Sequence, residues 1–241
     1  MNTKKGDFMW NGNNDSITLH SSRNYMFGDK IFILDEITSE NCAYLIGDMA
    51  SFILDKANSG KELTFIINSP GGEVPTMLSI VGLMNTAKLS DIQTKSIVFG
   101  TASSCASMIA ANADLRYMNK LSQHFIHFGT VWNIIEKRSE ISKTYAQNEE
   151  YAENMVNFYL ECCKGKMTRK TLLNLESDER GYLNAEDCIK YGLCDFIIED
   201  DLKKKQDYDK FRDAFDVEYS NKYLKHQETK KPKKTTKKGD K

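Results

Sequence analysis

Apolar residues recur along the chain in two alternating rhythms. Short runs at Lys30-Ile31-Phe32-Ile33-Leu34, Leu63-Thr64-Phe65-Ile66-Ile67, Ser96-Ile97-Val98-Phe99, Leu115 to Met118, His124 to Phe128 and Phe196-Ile197-Ile198 have strand length and read as strands. Between them the period lengthens. Thr38 or Ser39 offers an N-cap, and Leu45, Met49 and Ile53 then fall on one stripe at i, i+4 spacing, which predicts an amphipathic helix. Val74 to Met84 and the second half of Thr101 to Ala113 read as helices. A long helix is predicted over Ile134 to Lys164, which is charged on one side and lacks Gly and Pro. Asn184 caps a last helix running to Tyr191, with Gly192 at its C′ position. Repeated strand–helix units predict an α/β fold with mostly parallel strands. The segments divide as a polar, flexible N-terminal stretch at 1–24, one domain at 25–200, and a charged C-terminal extension at 201–241 that ends in a disordered lysine-rich tail.

Charge changes this picture only at the end of the chain. Lys222 to Lys241 holds nine lysines against Glu228 and Asp240, a local charge of +7, which leaves −8 for the rest of a 241-residue chain whose net charge is −1. The tail reads as solvated. With no aromatic interleaving beyond Tyr223, it argues against a nucleic-acid partner. No apolar run approaches the roughly 20 residues that cross a bilayer, and Met1 to Ser22 lacks the apolar core of a secretory signal, so a cytoplasmic protein without a membrane partner is expected. Six cysteines, Cys42, Cys105, Cys162, Cys163, Cys188 and Cys194, are scattered without a C-x-x-C pair. They read as free thiols, and neither a metal site nor a cofactor is expected.

Candidate chemistry gathers after two strands, at Asn68-Ser69-Pro70-Gly71-Gly72 and at Gly100 to Ser104. In α/β folds, ligands bind where parallel strands end and helices begin. Gly71-Gly72 lets backbone approach a substrate closely, with N–H groups free to face a carbonyl oxygen. A helix cap explains Ser103 or Ser104. It explains Ser107 less well, since that hydroxyl lies among Cys105, Ala106, Met108, Ile109 and Ala110. Of the four histidines, His20 and His226 lie in the polar ends. His124 and His127, three apart in one short strand, point to opposite faces, so one of them can serve as a base while the other faces away.

Asn68-Ser69-Pro70-Gly71-Gly72, Ala106-Ser107-Met108, Phe125-Ile126-His127 and Leu183-Asn184-Ala185-Glu186 through Tyr191-Gly192-Leu193 together resemble the proteolytic subunit of the Clp protease, in order and at near-family spacing over roughly Ile31 to Asp200. The small-residue run Gly100 to Ser107 is closest in pattern to the Clp-like proteases of bacteriophages. The resemblance implies a ClpP/crotonase-like fold of repeated strand–helix units with a long protruding handle helix. It implies a serine endopeptidase in which Ser107 attacks the peptide carbonyl and His127 is the general base. The backbone N–H groups of Gly72 and Met108 would form the oxyanion hole. It also implies self-association into rings, a heptamer or double ring joined by the handle. Unfolded polypeptide would reach the chamber through a ring ATPase of the AAA+ unfoldase type or, in a phage, during head maturation.

Two positions depart from that pattern. Ile109 replaces the glycine that commonly follows the Ser-Met pair. Arg180 stands where the family has its acid, and a guanidinium cannot accept the imidazole N–H. Asp178, or next to it Glu179, is then expected to take that role. Arg180 also supports an alternative, a non-catalytic Clp-like structural or regulatory subunit. An acyl-CoA enzyme of the related crotonase fold is a third reading, since it shares the oxyanion geometry and needs no Ser–His pair.

Overall fold

The computed structural model describes residues 24–128, 138–177 and 181–198, with the backbone alone for 138–148 and Ser177. All of these lie in the unit Met1–Asp200, and the second unit, Asp201–Lys241, is outside the described residues.

The sheet begins with a hairpin, β1 (Asn24–Phe27) and β2 (Lys30–Ile33), paired antiparallel. Strand β3 (Glu62–Ser69) lies parallel to β2, β4 (Gln93–Ser103) parallel to β3, β5 (Leu115–Asn119) parallel to β4, and β8 (Phe196–Ile198) parallel to β5. Continuous apolar runs such as Leu63-Thr64-Phe65-Ile66-Ile67 suit this arrangement, because a parallel sheet is covered on both faces. The strand–helix alternation expected from the sequence is therefore the architecture observed.

Helix α1 (Ser39–Leu54) starts as its capping residue dictates: Thr38 Oγ1 accepts from the Asn41 N–H at 3.1 Å, and Cys42, Leu45, Met49 and Ile53 are buried along one stripe. Helix α2 (Val74–Leu89) follows the Gly-Gly turn with Pro75 in its first turn, where a missing N–H costs nothing. Helix α3 (Cys105–Asn112) is buried throughout, which explains its run of small side chains. The long helix is α4 (Arg138–Cys162); residues 129–137 of the predicted span lie outside the described residues. A further helix, α5 (Arg169–Ser177), was not expected from the sequence. Asn184 caps α6 (Ala185–Tyr191), its side chain accepting from the Asp187 N–H at 2.8 Å, and Gly192 ends it at φ 77°.

Two features steer β4 toward the site. Its pairing with β3 shifts register, so that Ile67 faces Val98 but Ser69 faces Ala102. Asn68 spans this bulge: its Oδ1 accepts from the Thr101 N–H at 3.1 Å, and Gly100, at φ 92°, passes so close that a Cβ there would lie 2.5 Å from Asn68 Oδ1. Beyond the bulge β4 leaves β5 and pairs in parallel with β6 (Gln123–Phe125), which pairs antiparallel with the short β7 (Tyr182–Leu183). Arg116 holds the neighbouring elements together. It is buried, donates to the carbonyls of Cys162 and Gly192 at 2.8 and 2.7 Å, and forms a two-toothed pair with Asp195 at 2.9 and 2.7 Å.

Candidate active site

The chain turns from β4 into α3 at Ser104, and the turn is sharp. Ser104 has φ 52° and ψ −124°, a conformation that costs a residue with a Cβ on the order of 1–3 kcal/mol; such strain clusters at functional sites, although Asp91 and Lys164 also have positive φ. A serine on a strained strand-to-helix turn presents its hydroxyl clear of the sheet with a helix N-terminus behind it. Ser104 is half-buried, unlike every residue of the helix that follows.

Against this turn lies Gly71-Gly72. A Cβ on Gly71 would sit 2.6 Å from the Ser103 carbonyl oxygen and 2.7 Å from Ser104 Cβ, so only glycine, here at φ 97°, permits the approach. The turn is fixed from both sides. Ile37 N–H donates to Gly71 O at 2.7 Å, Glu73 N–H donates to Ile37 O at 2.7 Å, and Cys105 Sγ–H donates to Gly72 O at 3.1 Å. Among the backbone hydrogen bonds found outside helices and strands in the described residues, none is donated by the Gly72 or Cys105 N–H, and the Cys105 thiol lies against its own N–H.

The strand that leads to His127 runs alongside. Ser103 faces Phe125 in the β4–β6 register, and the Ser104 N–H donates to Phe125 O at 2.8 Å, which sets Ser104 beside the end of the strand that leads to His127. The His127 ring packs on Phe125 at 5.4 Å between centroids, and Phe125 packs on Tyr182 at 4.7 Å. His127 is half-buried. Burial pulls its pKa below the usual imidazole value, opposed by the Glu176 carboxylate of α5. The expected acid Asp178, with Glu179 and Arg180, lies outside the described residues.

The structure does not bring Ser107 to His127. Ser107 is fully buried on α3, and its hydroxyl lies 2.9 Å from Nδ1 of His124, which is 1% exposed. Burial, with Arg116 nearby, drops the His124 pKa to about 4, so its imidazole is neutral and a feeble base. This is a serine–histidine pair closed off from solvent, and it joins Ser107 to His124 where the sequence led to an expected contact with His127. Opposite faces for the two histidines were legible from their spacing, and it is the inward one that finds Ser107. The Met108 N–H is likewise turned toward the Ser104 carbonyl, at 3.4 Å, as an ordinary first-turn helix bond. Ser104, which the sequence reads as a helix cap, stands at the strand–helix junction and makes no side-chain cap bond.

Beside the site, α2, α3 and α4 enclose an apolar cavity of about 410 Å³ lined by Val74, Leu78, Met108, Met155 and Phe158 among others. It begins two residues beyond Gly72 and one helical turn beyond Ser104.

An α/β sheet with a strained serine turn, a facing Gly-Gly turn and a flanking histidine strand is an arrangement that could serve hydrolysis, and likeness to known proteins narrows it. The Clp protease family model matches residues 15–201, and the chain belongs to that family. It is 32% identical over 185 residues to the ATP-dependent Clp protease proteolytic subunit of Streptococcus mutans, covering 73% of this chain and 88% of the relative. It is 29% identical over 183 residues to that of Streptococcus pyogenes, again covering 73% and 88%. The fold matches a solved point mutant of ClpP1 from Listeria monocytogenes with a TM-score of 0.58 at 20% identity, covering 72% of this chain and 92% of that one. The protein is thus a Clp-type peptidase. No helix among the described residues is long and apolar enough to cross a membrane.

Proposed function

We propose that this protein is a serine endopeptidase of the Clp type with Ser104 as nucleophile and His127 as general base. The observation that carries the reading is the strained Ser104 turn pressed against Gly71-Gly72. Ser104 Oγ attacks the peptide carbonyl carbon as His127 takes its proton. The N–H groups of Gly72 and Cys105 receive the oxyanion, and the same imidazole returns the proton to the leaving amine. Water then releases the acyl group by the reverse proton path. Among the described carboxylates Glu176 acts on His127, and the segment 176–179, with Asp178 foremost, supplies the orienting acid. The apolar cavity beside Ser104 receives an apolar substrate side chain.

Membership of the Clp family supports assembly into rings with the site inside a chamber. The name of the streptococcal relatives, an ATP-dependent proteolytic subunit, supports a ring ATPase as the partner that delivers unfolded chains. The deciding experiment is labelling by a fluorophosphonate probe followed by peptide mapping. The adduct belongs on Ser104, and Ser104→Ala abolishes both labelling and peptide hydrolysis. An adduct on Ser107 returns the nucleophile to the position expected from the sequence. An unlabelled, inactive native protein makes the chain a non-catalytic subunit.

A further inference from the structure

We propose that Ser107, His124 and Tyr159 form a buried positioning relay that locks the nucleophile helix, the base strand and the long helix α4 in one register and sets the rate of catalysis without touching substrate. The proposal rests on the reading of Ser104 and His127 above. The three side chains come from three elements: Ser107 from α3, His124 from β6 and Tyr159 from α4. All three are enclosed. Tyr159 Oη is the one buried side-chain nitrogen or oxygen among the described residues without a hydrogen-bond partner of ordinary geometry. Burial pushes the phenol's pKa up, and the Ser107 hydroxyl lies near enough to oppose that push. A buried hydroxyl is costly to leave unpaired, and Ser107 is the side chain placed to pair it.

The proton directions follow from the tautomer of the neutral His124, whose Nδ1 lies 2.9 Å from the Ser107 hydroxyl. With Nδ1 bare, the Ser107 O–H donates to it, and the Ser107 oxygen is open to accept from the Tyr159 O–H. The proposed relay then runs from Tyr159 to Ser107 to His124, each link with one donor and one acceptor. Apolar side chains of similar shape fill such a core at no greater cost, so a polar chain here is explained by the geometry it specifies. Its leverage is short. Ser107 lies one helical turn beyond Ser104, and His124 lies three residues before His127. A shift of α3 against β6 therefore alters the distance between nucleophile and base directly.

The test uses the full-length protein in its native assembly and compares Ser107→Ala, Ser107→Thr, Tyr159→Phe, Ser104→Ala and the apolar control Ile109→Val on the same helix. Peptide hydrolysis, the second-order rate of fluorophosphonate labelling, melting temperature and particle mass are measured together. Tyr159→Phe removes a single oxygen and keeps the ring, so it reports even if Ser107→Ala fails to fold. The expected result is a fall in kcat of about tenfold or more for Tyr159→Phe and Ser107→Ala, with KM within about twofold and labelling slowed in parallel. Ser107→Thr recovers most of the rate, and Ile109→Val keeps kcat whatever its melting temperature. Should Tyr159→Phe and Ser107→Ala both keep kcat, or should Ile109→Val lose as much, the relay is overturned while a dead Ser104→Ala leaves the nucleophile standing. An active Ser104→Ala overturns the reading beneath it as well.

Discussion

Ser104 and Ser107 sit one helical turn apart and differ in the property a nucleophile needs, a path to the substrate. Position in a motif does not report that property; backbone geometry and burial do. Ser104→Ala is expected to lose several orders of magnitude in peptide hydrolysis with particle mass unchanged, and Ser107→Ala to retain measurable labelling. His127 is the proposed base. Because burial lowers its pKa, the acid limb of kcat/KM is expected below pH 6.5, the value of a free imidazole, and a limb above it contradicts the assignment. His124 affects stability instead. Its folded pKa of about 4 lies under the unfolded 6.5, so between those values the unfolded chain binds a proton that the folded one refuses. Stability from this group is full above pH 6.5 and is lost as pH falls toward 4, by roughly 3 kcal/mol over the window. Denaturant unfolding from pH 7 to 4.5 checks this, with His124→Gln expected to flatten the slope.

Turns carry more of the site than helices or strands do. Gly71→Ala places a Cβ within 2.7 Å of Ser104 Cβ at φ 97°, and the nucleophile turn has no slack to yield, so activity is expected to fall by at least about a hundredfold while α1 and α2 stay folded. Circular dichroism with a labelling assay separates the two effects. Next to it, Leu78→Glu puts a charge into the apolar cavity and is expected to depress kcat/KM for peptides cleaved after leucine or methionine more than for those cleaved after alanine. The strands and the capped helices were legible because their signals are local: Thr38 before α1, Asn184 and Gly192 around α6, and continuous apolar runs for parallel strands. The β3–β4 register shift opposite Asn68 was not, since it arises from pairing between strands distant in sequence. Ser104 was obscured for the same reason. Its strain exists only because Gly71 from another loop and Phe125 from another strand meet it. Helix α5 is short and mostly polar, with Leu172 buried, Leu175 packed against the core and Leu173 in solvent, so its apolar residues show no clean helical stripe.

At the scale of the whole molecule, the described unit leaves several large apolar side chains in solvent: Phe27 on the β1–β2 hairpin, Tyr44 and Leu54 on α1, and Leu89 at the end of α2, the last 90% exposed. Single exposed apolar residues are ordinary, and the ring assembly proposed above would give a reason for several on one unit. In the ring assembly proposed above, enclosure of the site is what would give it selectivity. A peptidase whose site faces solvent cuts any flexible chain it meets, whereas one that faces a chamber admits only what can thread in. The expected solution species is therefore a closed ring or pair of rings, a multiple of the 27.5 kDa chain, with α4 in the ring-to-ring contact. Multi-angle light scattering at micromolar concentration, paired with two substrates, tests both halves of the argument. Short peptides are expected to be cleaved without any ATPase, and a stably folded protein to resist unless an ATP-driven unfoldase is added. A compact monomer with undiminished peptidase activity would overturn the ring. A ring that degrades folded protein unaided would leave the assembly standing and refute the chamber.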